Sequence, residues 1–173
     1  MERHIHIQAE DFSVDEVLSA IRTRHGQAGA VVTFVGLVRE RATLHTETTQ
    51  IDTVGVAKLE AGSALYLEHF PGVTERSIAA IADQAAARWP LLEIVIVHRV
   101  GWLEPREQIV LVVTVSSHRH AAFESAAFLM DYLKTDAVLW KKERAGDGAE
   151  TWIEATSGDL AATEAWADHD PRG

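Results

Sequence analysis

The sequence predicts a single α+β domain, and three observations carry that expectation. Segments rich in β-branched residues and segments with helical periodicity follow one another in the order β-α-β-β-α-β-β-α-β. At 173 residues the chain suits one full hydrophobic core. It shows neither an internal repeat nor a clean domain boundary. The expected layout is a domain over residues 1–156 with a long loop at 40–63, followed by a polar, acidic tail over 157–173.

His4 to Gln8 alternate weakly and read as a short edge strand. Ser13 opens a helix, with Glu16 three residues on completing a capping-box pattern and Val17, Leu18 and Ile21 facing inward. Ala30 to Val38 reads as a buried strand, and Gly36-Leu37-Val38-Arg39 places an arginine where it runs out. Residues Glu40 to Ser63 lack periodicity, and a connection of that length is usually a functional lid or a mobile segment. Ala64 to Phe70 resumes as a strand. Pro71-Gly72 turns the chain, Thr74 is placed to cap a helix with the stripe Ile78, Ile81, Ala82, Ala85 and Trp89, and Pro90 stops it.

Glu93 to Val100 and Gln108 to Val115 are two further strands, joined by residues 101–107. Ser116 and Ser117 are placed to cap the helix that follows. Ala137 to Trp140 leaves that helix, and a last short strand is expected around Trp152-Ile153-Glu154. The tail from Ser157 is expected to hold one helical turn, around Leu160 to Trp166.

The most informative stretch is the helix that ends at Lys134. At 100° per residue, Phe123, Ala127, Met130 and Lys134 fall within roughly 40° of one another. An ammonium on a core-facing stripe must snorkel, pair or lose its proton. Lys141 lies seven residues on, across the expected helix break. Two cations brought together there would each lower the other's pKa, and a lysine neutral near pH 7 serves as a general base. The alternative is that Lys141 and Lys142 form an exposed pair after Trp140.

The net charge of −10 argues against general nucleic-acid binding. Basic residues nevertheless gather at Arg39 and Arg41, at Arg119, and at Lys141, Lys142 and Arg144. Such an island on an acidic chain suits a small anion, unless each residue is solvated surface charge. His118-Arg119-His120 opens a helix, where backbone N–H groups and the dipole favour an anion. His4-x-His6 and His118-x-His120 each supply two metal ligands without a third at typical spacing, so no metal is expected. With no cysteine there is no zinc thiolate site and no thiol nucleophile. No apolar run reaches bilayer length and no signal-peptide pattern opens the chain, so a cytoplasmic location without membrane contact is expected.

Seven segments, in order, resemble one family. They are Gly29-Ala-Val-Val-Thr-Phe-Val-Gly-Leu-Val-Arg39, Leu67-Glu-His-Phe-Pro-Gly-Val-Thr-Glu75, His98-Arg-Val-Gly101, Ser116-Ser-His-Arg119, Met130-Asp-Tyr-Leu-Lys134, Trp140-Lys-Lys-Glu143 and Trp152-Ile-Glu-Ala155. The pattern resembles the large, catalytic subunit of molybdopterin synthase.

The resemblance implies a hammerhead-like fold with a mixed or antiparallel sheet, dimeric at the centre of a heterotetramer, with a small ubiquitin-like subunit at each end. It implies a sulfurtransferase. The small subunit's C-terminal thiocarboxylate would supply sulfur to cyclic pyranopterin monophosphate, giving the molybdopterin dithiolene without a resident cofactor. By resemblance Lys134 and Lys141 are catalytic. Leu37, Val38, Arg39, His118, Arg119, Lys142 and Glu143 would join them in holding substrate and partner tail. Some relatives carry arginine where this chain has Thr156, and His120 stands where small residues are common. The alternative function is a module that binds a ubiquitin-like tail or an anionic pterin without catalysis. A third reading is a hydrolase using His118 with a serine or a metal.

Overall fold

The computed structural model describes residues 1–39 and 63–167. Its elements run β1 (Glu2–Gln8), α1 (Val14–Arg24), β2 (Ala30–Leu37), β3 (Ala64–His69), α2 (Val73–Arg88), β4 (Leu91–Arg99), β5 (Gly101–Leu103), β6 (Gln108–Ser116), α3 (Arg119–Thr135), β7 (Leu139–Arg144), β8 (Glu150–Ile153) and α4 (Ser157–Ala165). The long connection expected over 40–63, with Arg41, lies outside the described residues except for Ser63.

The α+β expectation holds, with two sheets. The first has the order β1-β4-β6-β2, in which β1 runs parallel to β4 and the other pairs are antiparallel. The second, β5-β3-β7-β8, is antiparallel throughout. The continuous apolar runs of β4 and β6 follow from burial on both faces of the first sheet. Ile94, Ile96, Val110 and Val112 pack under Ile78 and Ile81 of α2 and Phe128 and Leu129 of α3. Val95, Val97, Leu111 and Val113 form the opposite face, under Ile21 of α1.

Local chemistry fixes how the helices start. The Ser13 hydroxyl accepts the Glu16 N–H at 3.2 Å, as the capping pattern predicts. The expected cap at Thr74 is corrected. Gly72, at φ +77°, is the N-cap of α2, because the turn after Pro71 needs a left-handed residue. Thr74 lies inside the helix, where its hydroxyl accepts the Phe70 N–H and donates to the Val138 carbonyl. Ser116 and Ser117 do not cap α3 either. His118 is the N-cap, while Ser116 Oγ donates to the Pro90 carbonyl and accepts the His118 N–H.

A buried carboxylate ties α1 to the first sheet. Glu93 is fully buried, with His25 Nε2 at 2.7 Å and the Arg24 guanidinium on its other oxygen. His120 lies 3.3 Å from Glu124, which also accepts the Trp89 indole N–H at 2.8 Å.

The segment from Ser157 is the largest departure from the sequence reading. It is a nine-residue helix seated on the core, instead of a tail with one helical turn. Trp166 packs edge-on against Trp89 and Phe128, and its indole N–H donates to Asp131 at 2.8 Å. Arg88 donates to the Trp166 carbonyl at 2.7 Å. Residues 168–173 lie outside the described residues.

Candidate active site

A cleft of about 740 Å³ opens where the two sheets meet. Its walls are the end of β2, the inner face of β3 and β7, the last turn of α3 and the start of α4. Leu37, Val38, Arg39, Lys134, Lys141 and Glu143 all line it.

The end of β2 is shaped by a register shift between Gly36 and Leu37. Beyond it Val38 is buried with Leu67 and Leu103, and Arg39 is exposed at the cleft. Two backbone bonds hold this turn: the Val38 N–H to the Glu107 carbonyl at 2.9 Å, and the Arg106 N–H to the Val38 carbonyl at 2.8 Å.

Lys134 does not sit on a buried stripe. The inner face of α3 is Ala122, Ser125, Ala126, Leu129 and Leu133, whereas Phe123 is 63% exposed and Ala127 is exposed. Lys134 continues that outer face, with a 52% exposed side chain. Its ammonium donates to Asp159 Oδ1 at 3.1 Å. Among the three outcomes open to it in the sequence, Lys134 pairs.

The desolvated lysine is Lys141. It lies within β7, between Leu67 of β3 and Ile153 of β8. Burial is the main cause that pushes its pKa down, and the Lys134 charge adds to it, while Asp159 opposes both. Both lysines line the cleft, and the Lys134 charge reaches Lys141.

Lys142 points away from the cleft, as alternation along a strand requires. Its ammonium pairs with Glu150 at 2.5 Å and sits 5.4–5.6 Å from the rings of Tyr66, Trp102 and Trp152. His118 and Arg119 are also absent from this chain's cleft. They are exposed at the start of α3, about 22 Å along the helix from Lys134 at 1.5 Å per residue.

Two cleft residues were not singled out from the sequence. His98, on β4, is buried with Nδ1 2.8 Å from the Arg99 carbonyl, which only a ring N–H can satisfy. Burial pushes its pKa down to about 4, against the Arg99 hydrogen bond and with help from Lys141. The cleft is therefore lined by a neutral imidazole whose Nε2 carries a lone pair. A lone histidine in the apolar run Leu91–Arg99 was the available signal.

The second is Asp159. Its carboxylate is held by the Thr156 hydroxyl at 2.7 Å, by Lys134 and by the Thr156 N–H at 3.1 Å, which together lower its pKa to about 2. The Thr156-x-x-Asp159 spacing is a capping-box pattern that could have found it.

With this geometry in place, the comparisons with known proteins are decisive. The MoaE protein family matches residues 7–136. This chain belongs to that family. A molybdopterin synthase catalytic subunit from Mesorhizobium japonicum is 44% identical over 94% of this chain and 92% of its own length. The solved molybdopterin biosynthesis MoaE protein from Burkholderia ambifaria is 43% identical, with a TM-score of 0.74 over 98% of this chain and all of that one. Molybdopterin synthase from Staphylococcus aureus is 27% identical, with a TM-score of 0.67 over 86% of this chain and 95% of its own. The chain is an enzyme subunit of molybdopterin biosynthesis. Among the described residues no helix is long and apolar enough to cross a membrane.

Proposed function

We propose that this chain is the sulfur-transferring subunit of a cytoplasmic molybdopterin synthase, acting on cyclic pyranopterin monophosphate. The single observation that carries the chemistry is the cleft with one desolvated and one ion-paired lysine. The sulfur comes from outside, since this chain has no cysteine to carry it. The donor in this reading is the C-terminal thiocarboxylate of a small ubiquitin-like partner, whose tail enters the cleft.

The thiocarboxylate sulfur attacks a substrate carbon. As the C–S bond forms, a C–O bond at that carbon breaks, its oxygen leaving as water or as the freed phosphate, and a thioester joins partner and pterin. Water then adds to the thioester carbonyl, the acyl–sulfur bond breaks, and the partner leaves as a carboxylate with the sulfur retained by the pterin. Lys141 takes the proton from that water, a task for an amine that burial has made easier to deprotonate. The Lys134 ammonium faces the oxyanion of the tetrahedral species. Arg39, exposed at the cleft, holds the substrate phosphate. Glu143 lines the same wall. No resident cofactor has a part in these steps.

His118 and Arg119 enter this reading through a second copy of the chain. They are too far from Lys134 to reach the same cleft, and β2 is an edge strand beside α3 with Val31, Phe34, Leu37 and Phe123 exposed. A twofold dimer through this side would place each basic turn near the other copy's cleft, at the centre of a heterotetramer. Residues 1–156 alone do not make the site, because Asp159 of α4 belongs to it.

The test is incubation of the purified chain with the pterin substrate and thiocarboxylated small subunit. Dithiolene product supports the reading. Tight binding of both without product would leave a non-catalytic binding module instead.

A further inference from the structure

The start of α4 closes one wall of the cleft, and its position is strongly determined. Thr156 and Asp159 cap it reciprocally: the Thr156 hydroxyl accepts the Asp159 N–H at 3.2 Å while Asp159 Oδ2 accepts from the Thr156 hydroxyl and N–H. The far end of the helix is seated by Trp166 on Asp131, Trp89 and Phe128. Between them, Thr163 meets Thr135 of α3 at 3.0 Å. With one carboxylate oxygen committed to the cap, the other is aimed at Lys134.

We propose that α4 is part of the active site and that Asp159 is its positioning residue, a carboxylate that holds the Lys134 ammonium against the cleft wall and sets the charge felt by Lys141. This rests on the sulfur-transfer reading for its purpose, but the pairing itself does not. The two lysines are thereby given different surroundings: Lys134 is paired with a carboxylate fixed in place, and Lys141 is the amine that burial makes easier to deprotonate. The other charged or titratable groups at the cleft are Arg39 of β2, His98 of β4, Glu143 and Arg144 of β7, and Glu154 beyond β8. Arg144 is engaged by Glu150 at 3.0 Å. His98 is neutral above about pH 4. Of the described carboxylates at the cleft, Asp159 is the one that raises the Lys141 pKa.

The test reads Lys141 directly, by NMR titration of lysine side chains labelled at Cε. Asp159→Asn keeps an oxygen to accept the Thr156 bonds and removes the charge together with the oxygen that accepts from Lys134. In D159N the Lys141 midpoint should move to lower pH, because the carboxylate that favoured the ammonium is gone. The acid limb of the sulfur-transfer profile should move the same way, and Asp159→Glu should move both back toward wild type. Thr156→Ala, which loosens the cap but keeps the carboxylate, should shift the midpoint less than D159N. An unchanged midpoint in folded D159N, or an equal shift in T156A, overturns the proposal. If D159N does not fold, Lys134→Met serves: Asp159 must then titrate above its wild-type value, and an unchanged Asp159 titration overturns the pairing. A wild-type protein that makes no dithiolene yet shows these titrations removes the sulfur-transfer reading and leaves the positioning role standing.

Discussion

Lys141 of β7 stands in register with Leu67 of β3, a leucine only 1% exposed. That pairing places the lysine stem over the small apolar cluster of Val38, Leu67 and Leu103. An amine in this position loses hydration and gains little from the fold. Lys141→Met should therefore leave the protein folded and equally or more stable, by about 1 kcal/mol, since a half-buried charge is exchanged for an apolar chain of similar length. Urea unfolding measures this. A loss of more than about 2 kcal/mol would mean that the ammonium is a structural group.

His98 predicts a pH dependence of stability. Its pKa is 6.5 in the unfolded chain and about 4 in the fold, so the unfolded state binds the extra proton between those values. The contribution is complete above pH 6.5 and is lost as pH falls toward 4, by about 3 kcal/mol at most. His98→Asn keeps an N–H for the Arg99 carbonyl and removes the titration. The slope of stability against pH in this window should be shallower in H98N than in wild type, as read by denaturant unfolding at several pH values.

Arg24 is the counter-ion of fully buried Glu93. Arg24→Ala leaves that carboxylate with the imidazoles of His25 and His4, at a cost of about 2 kcal/mol. The cleft lies elsewhere, so sulfur transfer by the folded R24A protein should match wild type at a temperature well below its melting point. A melting temperature equal to that of wild type would contradict the assignment.

Much of the fold was legible because burial leaves a periodic or continuous apolar trace. The α2 stripe Ile78, Ile81, Ala82 and Ala85 is buried as its spacing indicates, and β4 and β6 are the apolar runs they appear to be. The face of α3 was not legible. Phe123, Ala127 and Met130 make that helix apolar around most of its circumference, so periodicity offers two stripes and only packing selects one. β7 was hidden by its composition, Leu-Trp-Lys-Lys-Glu-Arg, whose polar residues face a cleft on one side and an aromatic, salt-bridged surface on the other. The candidate site was legible at Arg39, Lys134 and Lys141, all of which line the cleft. It was obscured at Asp159, because the residues that seat α4 on the core are scattered over α2 and α3.

Arg119 provides a test of the shared site. Arg119→Ala and Lys141→Ala each remove one part of every cleft, but in a mixed dimer one cleft escapes both changes if Arg119 acts across the twofold axis. Random mixing should recover about a quarter of the wild-type sites. No recovery after verified subunit exchange would place Arg119 outside the partner's cleft.

The central claim is that the lysine cleft performs the sulfur transfer, and single-turnover assay of Lys134→Ala and Lys141→Ala tests it most directly. Both variants, mixed with pterin substrate and thiocarboxylated partner, should form dithiolene about 10²–10⁴-fold more slowly than wild type while melting normally. Lys134→Arg should keep the charge near Asp159 and the fold, yet not match the lysine's geometry at the oxyanion. Wild-type rates in folded K134A and K141A would contradict the account.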